Sequence, residues 1–181
     1  MKHTALILAE GFEEIEALTV VDLLRRAQID CQMLSLADTQ SVTGSHGITV
    51  LADGAFSQAD FTAFDGLILP GGPGTQRLAA HRKLQDLLQA FQADGKLTAA
   101  ICAAPTVLAQ AGLLADKRAV CFPGMEDRLT GARVERQPTV TDGSVITGRA
   151  AGAAVPFALA IVVYFQGAEE AQALAQRIVY P

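Results

Sequence analysis

In LTAAICAAPTVL, Leu97 to Leu108, one cysteine stands where an apolar run gives way to an alanine-rich segment. A lone cysteine between apolar residues ordinarily serves as packing. On a strand-to-helix turn, Cys102 would instead face a cleft and the free amides of the following helix, which favour thiolate and stabilise a negative oxygen formed beside it. The small neighbours Ala100, Ala103 and Ala104 suit a sharp turn of the kind that presents a nucleophile. Gly71 and Gly72, in GGPG, allow close backbone approach and offer further amide donors to the same pocket.

A carboxyl completes the chemistry. Glu16 shares a helical face with Val20, Leu23 and Ala27, at spacings of four, seven and eleven. On an apolar stripe an acid is costly unless it is protonated or paired. A protonated Glu16 could donate a hydrogen bond to a thiolate, so that the two groups share one charge, held mostly on sulfur. Its neighbours Glu13 and Glu14 read as acids that complement the helix dipole. Asp22 with Arg25 and Arg26 reads as a surface ion pair.

These groups need a frame. Thr4–Ala9, Cys31–Ala37, Gly66–Pro70, Leu97–Ile101, Ala119–Phe122 and Ser144–Gly148 read as strands, continuous in apolar character. Helical stretches are expected over Glu13–Ala27, Leu84–Ala93, Ala103–Ala111, Ala153–Phe165 and Ala168–Ile178. This alternation implies an α/β three-layer sandwich, with a mostly parallel sheet covered on both faces. The segment SVTGSHGITV, Ser41 to Val50, adds a small β-hairpin. In open parallel sheets the ligand crevice lies at the carboxyl ends of the strands. Gly71, Cys121, Phe122 and Arg149, at the ends of the expected strands, are therefore candidates for lining the pocket around Cys102. Cys121 reads first as a small packing residue and only second as another thiol.

Composition narrows the function. The 181 residues, half of them apolar, suffice for one buried core and a single domain spanning 1–181. A net charge of −5 with 14 scattered basic residues carries no footprint for nucleic acid. The five-residue apolar run ending at Ala9 is too short for a signal peptide or a membrane span, so a cytoplasmic protein without membrane contact is expected. Three widely spaced cysteines, Cys31, Cys102 and Cys121, fit neither a disulfide scaffold nor a metal site.

The blocks ALILAEGFEEIEALTVVDLLRRA, GLILPGGPG, AAICAAPTVLAQAGLL and ITGRAAGAAVPFALAIV resemble those of the ThiJ/PfpI family, on the branch of the parkinsonism-associated deglycase (DJ-one) and its bacterial YajL-like relatives. The resemblance implies a flavodoxin-like sandwich and a homodimer. It also implies a reactive Cys102 hydrogen-bonded by protonated Glu16, with oxyanion donors on the backbone of Gly72 and Ala103. The activity it implies is cofactor-independent glyoxalase or deglycase chemistry on small dicarbonyls or glycated substrates. The alternative it offers is a redox-sensing chaperone in which Cys102 is oxidised to sulfinic acid without turnover. Two departures matter: Phe122 stands where some relatives carry a histidine, and His3, His46 and His81 all precede Cys102. An imidazole shuttle and a Cys-His hydrolase are thereby disfavoured. His46, in the hairpin turn, and His81, opening HRK, are expected at the surface.

Overall fold

The computed structural model describes residues 1–181. Its elements begin with β1 (His3–Leu8), α1 (Glu14–Arg26), β2 (Asp30–Ser35), β3 (Ser41–Thr43), β4 (Thr49–Leu51), β5 (Gly54–Ala55) and β6 (Gly66–Leu69). There follow α2 (Thr75–Ala80), α3 (Arg82–Ala93), β7 (Leu97–Ile101), α4 (Pro105–Gln110), β8 (Arg118–Ala119) and β9 (Arg133–Val134). The chain closes with β10 (Thr139–Asp142), β11 (Val145–Gly148), α5 (Ala154–Gln166) and α6 (Ala168–Arg177).

The main sheet runs in the order β10-β11-β7-β6-β1-β2-β5. Every pair in it is parallel except β10 with β11. The apolar runs are continuous because helices bury both faces. Along β1, Leu6 and Leu8 pack towards Val20, Leu24, Phe157 and Ile161 of α1 and α5. Ala5 and Ile7 point the other way, towards Leu78, Leu84, Leu88 and Val107 of α2, α3 and α4. The three-layer sandwich is therefore as expected, and so is the hairpin: β3 and β4 pair antiparallel with Val42 opposite Val50.

The stretch Ala119–Phe122 corrects the expectation. Only Ala119 belongs to a strand, and β8 pairs with β9 in a separate two-stranded sheet rather than joining the main one. Its apolar character comes from burial: Ala119, Val120 and Cys121 are all buried, with the Val120 amide donating to Thr147 Oγ1 at 3.0 Å. The edge position is taken instead by β10, TVTD, too short and too polar to show a strand pattern. No helix is long and apolar enough to cross a membrane.

Candidate active site

Topology brings the predicted pair together. α1 leaves the carboxyl end of β1, the Gly71-Gly72 turn follows β6, and Cys102 follows β7, so neighbouring positions in the sheet deliver all three. The Glu13 side chain caps α1 by accepting the Glu16 amide at 2.8 Å. One turn of helix then sets Glu16 inward, 1% exposed, on the stripe with buried Val20, Leu23 and Ala27.

Cys102 adopts φ +66°, a left-handed conformation that a non-glycine residue holds only when its surroundings impose it. Two bonds impose it here. The Cys102 amide donates to Gly148 O at 2.9 Å, and its carbonyl accepts the Phe122 amide at 2.8 Å. The helix starts later than the sequence suggests, since Cys102–Ala104 form a turn and α4 begins at Pro105. The donors aimed at sulfur are therefore backbone amides of two turns, Gly72 and Ala103, rather than a long helix.

Gly71 packs between the two reactive groups. Its amide donates to Glu16 Oε2 at 2.8 Å, and a Cβ placed on it would collide with that oxygen and lie 2.6 Å from Cys102 Cβ. The other oxygen, Oε1, is buried without a well-oriented partner, and the Cys102 thiol is the side chain against the carboxyl. Burial raises the Glu16 pKa to about 7, against the lowering pull of Cys102 and the Gly71 amide. Burial first, and the Glu16 carboxylate second, push the Cys102 thiol up to about 12, although the Ala103 and Gly72 amides pull it down. The turn amides of Gly72 and Ala103 pull Cys102 towards thiolate, and burial with the Glu16 carboxylate outweighs them. Two acids in contact share the first negative charge that the pair acquires as pH rises past about 7.

The remaining candidates fall on the same edge. Phe122 is 45% exposed, and its amide ties the loop after β8 to Cys102. Cys121 is buried, its thiol pushed up to about 11 by burial and by Glu126. Arg149 follows Gly148, the residue bonded to Cys102, and its guanidinium donates to Arg136 O at 3.2 Å. The histidines lie elsewhere: His3 pairs with Asp30, His46 with Glu14, and His81 caps α3 by accepting the Leu84 amide.

Two roles escaped the sequence. Glu14 is buried and gathers the hairpin loop, accepting the His46 amide at 2.7 Å and meeting His46 Nδ1 at 2.8 Å. Burial opposes its charge, but the His46 bonds prevail and bring its pKa down to about 2, while His46 rises. A helix-dipole reading hid this, because the partner lies 32 residues away. Arg25 does not pair with Asp22; it binds Cys31 O and Asp53, leaving Asp22 to Arg26 alone.

The chain matches the model described as the DJ-1/PfpI family over residues 2–163. It is 37% identical to the protein dj-1beta of Drosophila melanogaster over 97% of this chain and 95% of that one. It is 34% identical to the glutathione-independent glyoxalase DJR-1.2 of Caenorhabditis elegans, over 96% of this chain and 94% of that one. Among solved structures, a mutant of a DJ-1 superfamily protein from Salmonella typhimurium superimposes with a TM-score of 0.95 at 35% identity, covering 100% of both chains.

Proposed function

The chain belongs to the DJ-1/PfpI family, and from that premise we propose that it converts small dicarbonyls, methylglyoxal or glyoxal and their adducts, into hydroxy acids. Cys102 is the nucleophile and Glu16 the proton carrier. The observation that carries this reading is the buried Glu16 carboxyl set against the one cysteine held on a left-handed turn. Glu16 is also the one charged group that shifts the Cys102 titration, so proton transfer falls to it rather than to an imidazole.

The chemistry balances with water alone. Thiolate attack on the aldehyde carbon forms the S–C bond and moves the carbonyl π pair onto oxygen, which takes a proton to give a hemithioacetal. Removal of the proton on that carbon gives an enediol, and reprotonation at the neighbouring carbon leaves an α-hydroxy thioester. Water then cleaves the thioester, releasing the hydroxy acid and restoring the thiol. One carbon is oxidised and its neighbour reduced, so the electrons stay within the substrate. The Gly72 and Ala103 amides stabilise sulfur before attack and the developing oxyanion after it. Their donation to sulfur, and a proton carried on Glu16 Oε1, support assigning the shared charge to the thiolate. Incubation with methylglyoxal, without added glutathione, is expected to yield lactate; its absence would overturn the proposal.

A half-buried thiol beside amide donors also suits the sensor reading, in which peroxide oxidises Cys102 to a sulfinate held by the same groups. Dicarbonyl turnover by untreated protein separates the two. For assembly, Ile15 on α1 and Ile48 and Leu51 on the hairpin are 56%, 52% and 71% exposed. That apolar surface is the proposed homodimer contact. Light scattering should give twice the 19.0 kDa of one chain, and a monomer mass would refute the contact.

A further inference from the structure

Two charged residues of this chain are buried, Glu16 and Glu14, and the chemistry above uses only the first. Burying a carboxylate is costly unless donors surround it. Glu14 has four, all from the hairpin loop. Its Oε1 accepts the His46 amide at 2.7 Å and the Ile48 amide at 3.5 Å, and its Oε2 accepts the Ser45 hydroxyl at 3.3 Å and meets His46 Nδ1 at 2.8 Å. Gly44 packs directly on this carboxyl: a Cβ there would collide with it and lie 2.7 Å from Glu14 Cγ.

Glu14 opens α1, two residues before Glu16. At 3.6 residues per turn the two side chains leave the helix about 200° apart, one into the hairpin loop and the other towards Cys102. Any roll of the first turn therefore moves both. Backbone bonds hold the chain just before this turn, the Gly11 amide donating to Thr43 O and the Ser45 amide to Phe12 O, both at 2.8 Å. The Glu14 carboxylate ties the turn itself. Glu13 adds less to that tie, since its Oε2 accepts the Glu16 amide at 2.8 Å and its Oε1 stands 4.0 Å from His46 Nδ1. The glycine turn hangs on the same connection, because the Glu13 amide donates to Gly71 O at 3.0 Å and the Gly74 amide to Gly11 O at 2.9 Å. Gly71 in turn supplies the amide that binds Glu16 Oε2. The charge of Glu14 does not shift the pair's titration: the acid that raises Glu16 is Glu13, and the acid that raises Cys102 is Glu16. Glu14 acts on the pair through position.

We propose that Glu14 is a positioning residue for the Glu16–Cys102 pair, locking the first turn of α1 to the hairpin loop so that the Glu16 carboxyl stays against the sulfur. The inference rests on the pair assigned above, and a titration that needs no turnover tests it. The rate at which iodoacetamide alkylates Cys102, followed against pH by peptide mass, gives the thiol titration of each protein. In Glu14→Ala it is expected to shift by about one pH unit or more, upward if Glu16 donates to a thiolate and downward if Glu16 is a carboxylate beside a thiol. Glu14→Gln loses the same charge but keeps an oxygen for the His46 and Ile48 amides, so its titration should stay with wild type. Methylglyoxal turnover should follow, kcat falling about 10–100-fold in Glu14→Ala with KM little changed, and recovering in Glu14→Gln. Gly44→Ala expels the carboxylate from the loop without touching α1 and should reproduce the shift, which keeps the test open if Glu14→Ala does not fold. An unmoved Cys102 titration in these two alanine variants would overturn the proposal even if they melt lower or lose the dimer mass, because Glu14 would then serve stability or assembly alone. Equal shifts in Glu14→Gln and Glu14→Ala would overturn it too, since charge rather than anchorage would be acting. The size of the shift judges Glu14, whereas its direction and lactate formation by wild type judge the chemistry assigned to Cys102.

Discussion

Cys102→Ala is expected to abolish dicarbonyl turnover, by at least about 10³-fold, because no other group can form the covalent intermediate. The other thiols cannot substitute: Cys31 is buried with its pKa held up to about 12, and Cys121 up to about 11. Stability should change by no more than about 1 kcal/mol. Alanine meets the same φ of +66° with the same Cβ, and the two backbone bonds that hold the turn, to Gly148 and Phe122, do not involve the sulfur. Lactate assays beside thermal melts measure both halves. Retained turnover would remove Cys102 from the mechanism.

Gly72→Ala should have the opposite signature, losing stability and activity together. Gly72 has φ +90°, and a Cβ there would meet Gly11 O at 2.5 Å, Glu13 N at 2.7 Å and Phe12 C at 2.9 Å. All three are backbone atoms of the β1–α1 connection, so no side chain can swing aside. Strain and overpacking together should cost about 3–5 kcal/mol, a large part of the 5–15 kcal/mol that ordinarily separates folded from unfolded chains. If the loop yields instead, the Gly72 amide leaves the sulfur and turnover should fall by about 10²–10³. Gly112→Ala is the control, because its φ of +81° is similar but nothing lies within 4 Å of the new Cβ. Its cost should stay near 1 kcal/mol. Urea denaturation of the two variants makes the comparison, and equal losses would show that close approach at Gly72 does not matter.

What could be read from the sequence follows from what burial writes into it. β1, β6 and β7 are apolar on both faces and announce themselves, and Glu16 stands out because it interrupts a stripe that is otherwise Val20, Leu23 and Ala27. Ala119–Phe122 carries the same apolar mark for another reason, packing beside the sheet instead of pairing within it, and a short apolar run cannot tell the two apart. β10 shows the converse, since an edge strand needs no apolar run. α2 follows GGPG without a cap signal and is only six residues long. Glu14 was illegible as special, because what sets it apart is a partner distant in sequence. The titration of Cys102 could not be read either: it depends on burial and on Glu16 as much as on the amides beside it.

The thiolate absorbance of wild type against pH, with Cys102→Ala as the blank, tests most directly where the charge of the pair resides. Cys31 and Cys121 stay silent through the neutral range, held up to about 12 and about 11. The pair gives up its first proton at about 7 and its second only at about 12. If that first charge sits on sulfur, a one-thiol absorbance step centred at about 7 will appear, and lactate formation will rise with it as pH increases and fall as pH drops below it. Thiolate absorbance that appears only as pH approaches 12 would show that Glu16 carries the charge as a carboxylate, and would contradict the thiolate mechanism.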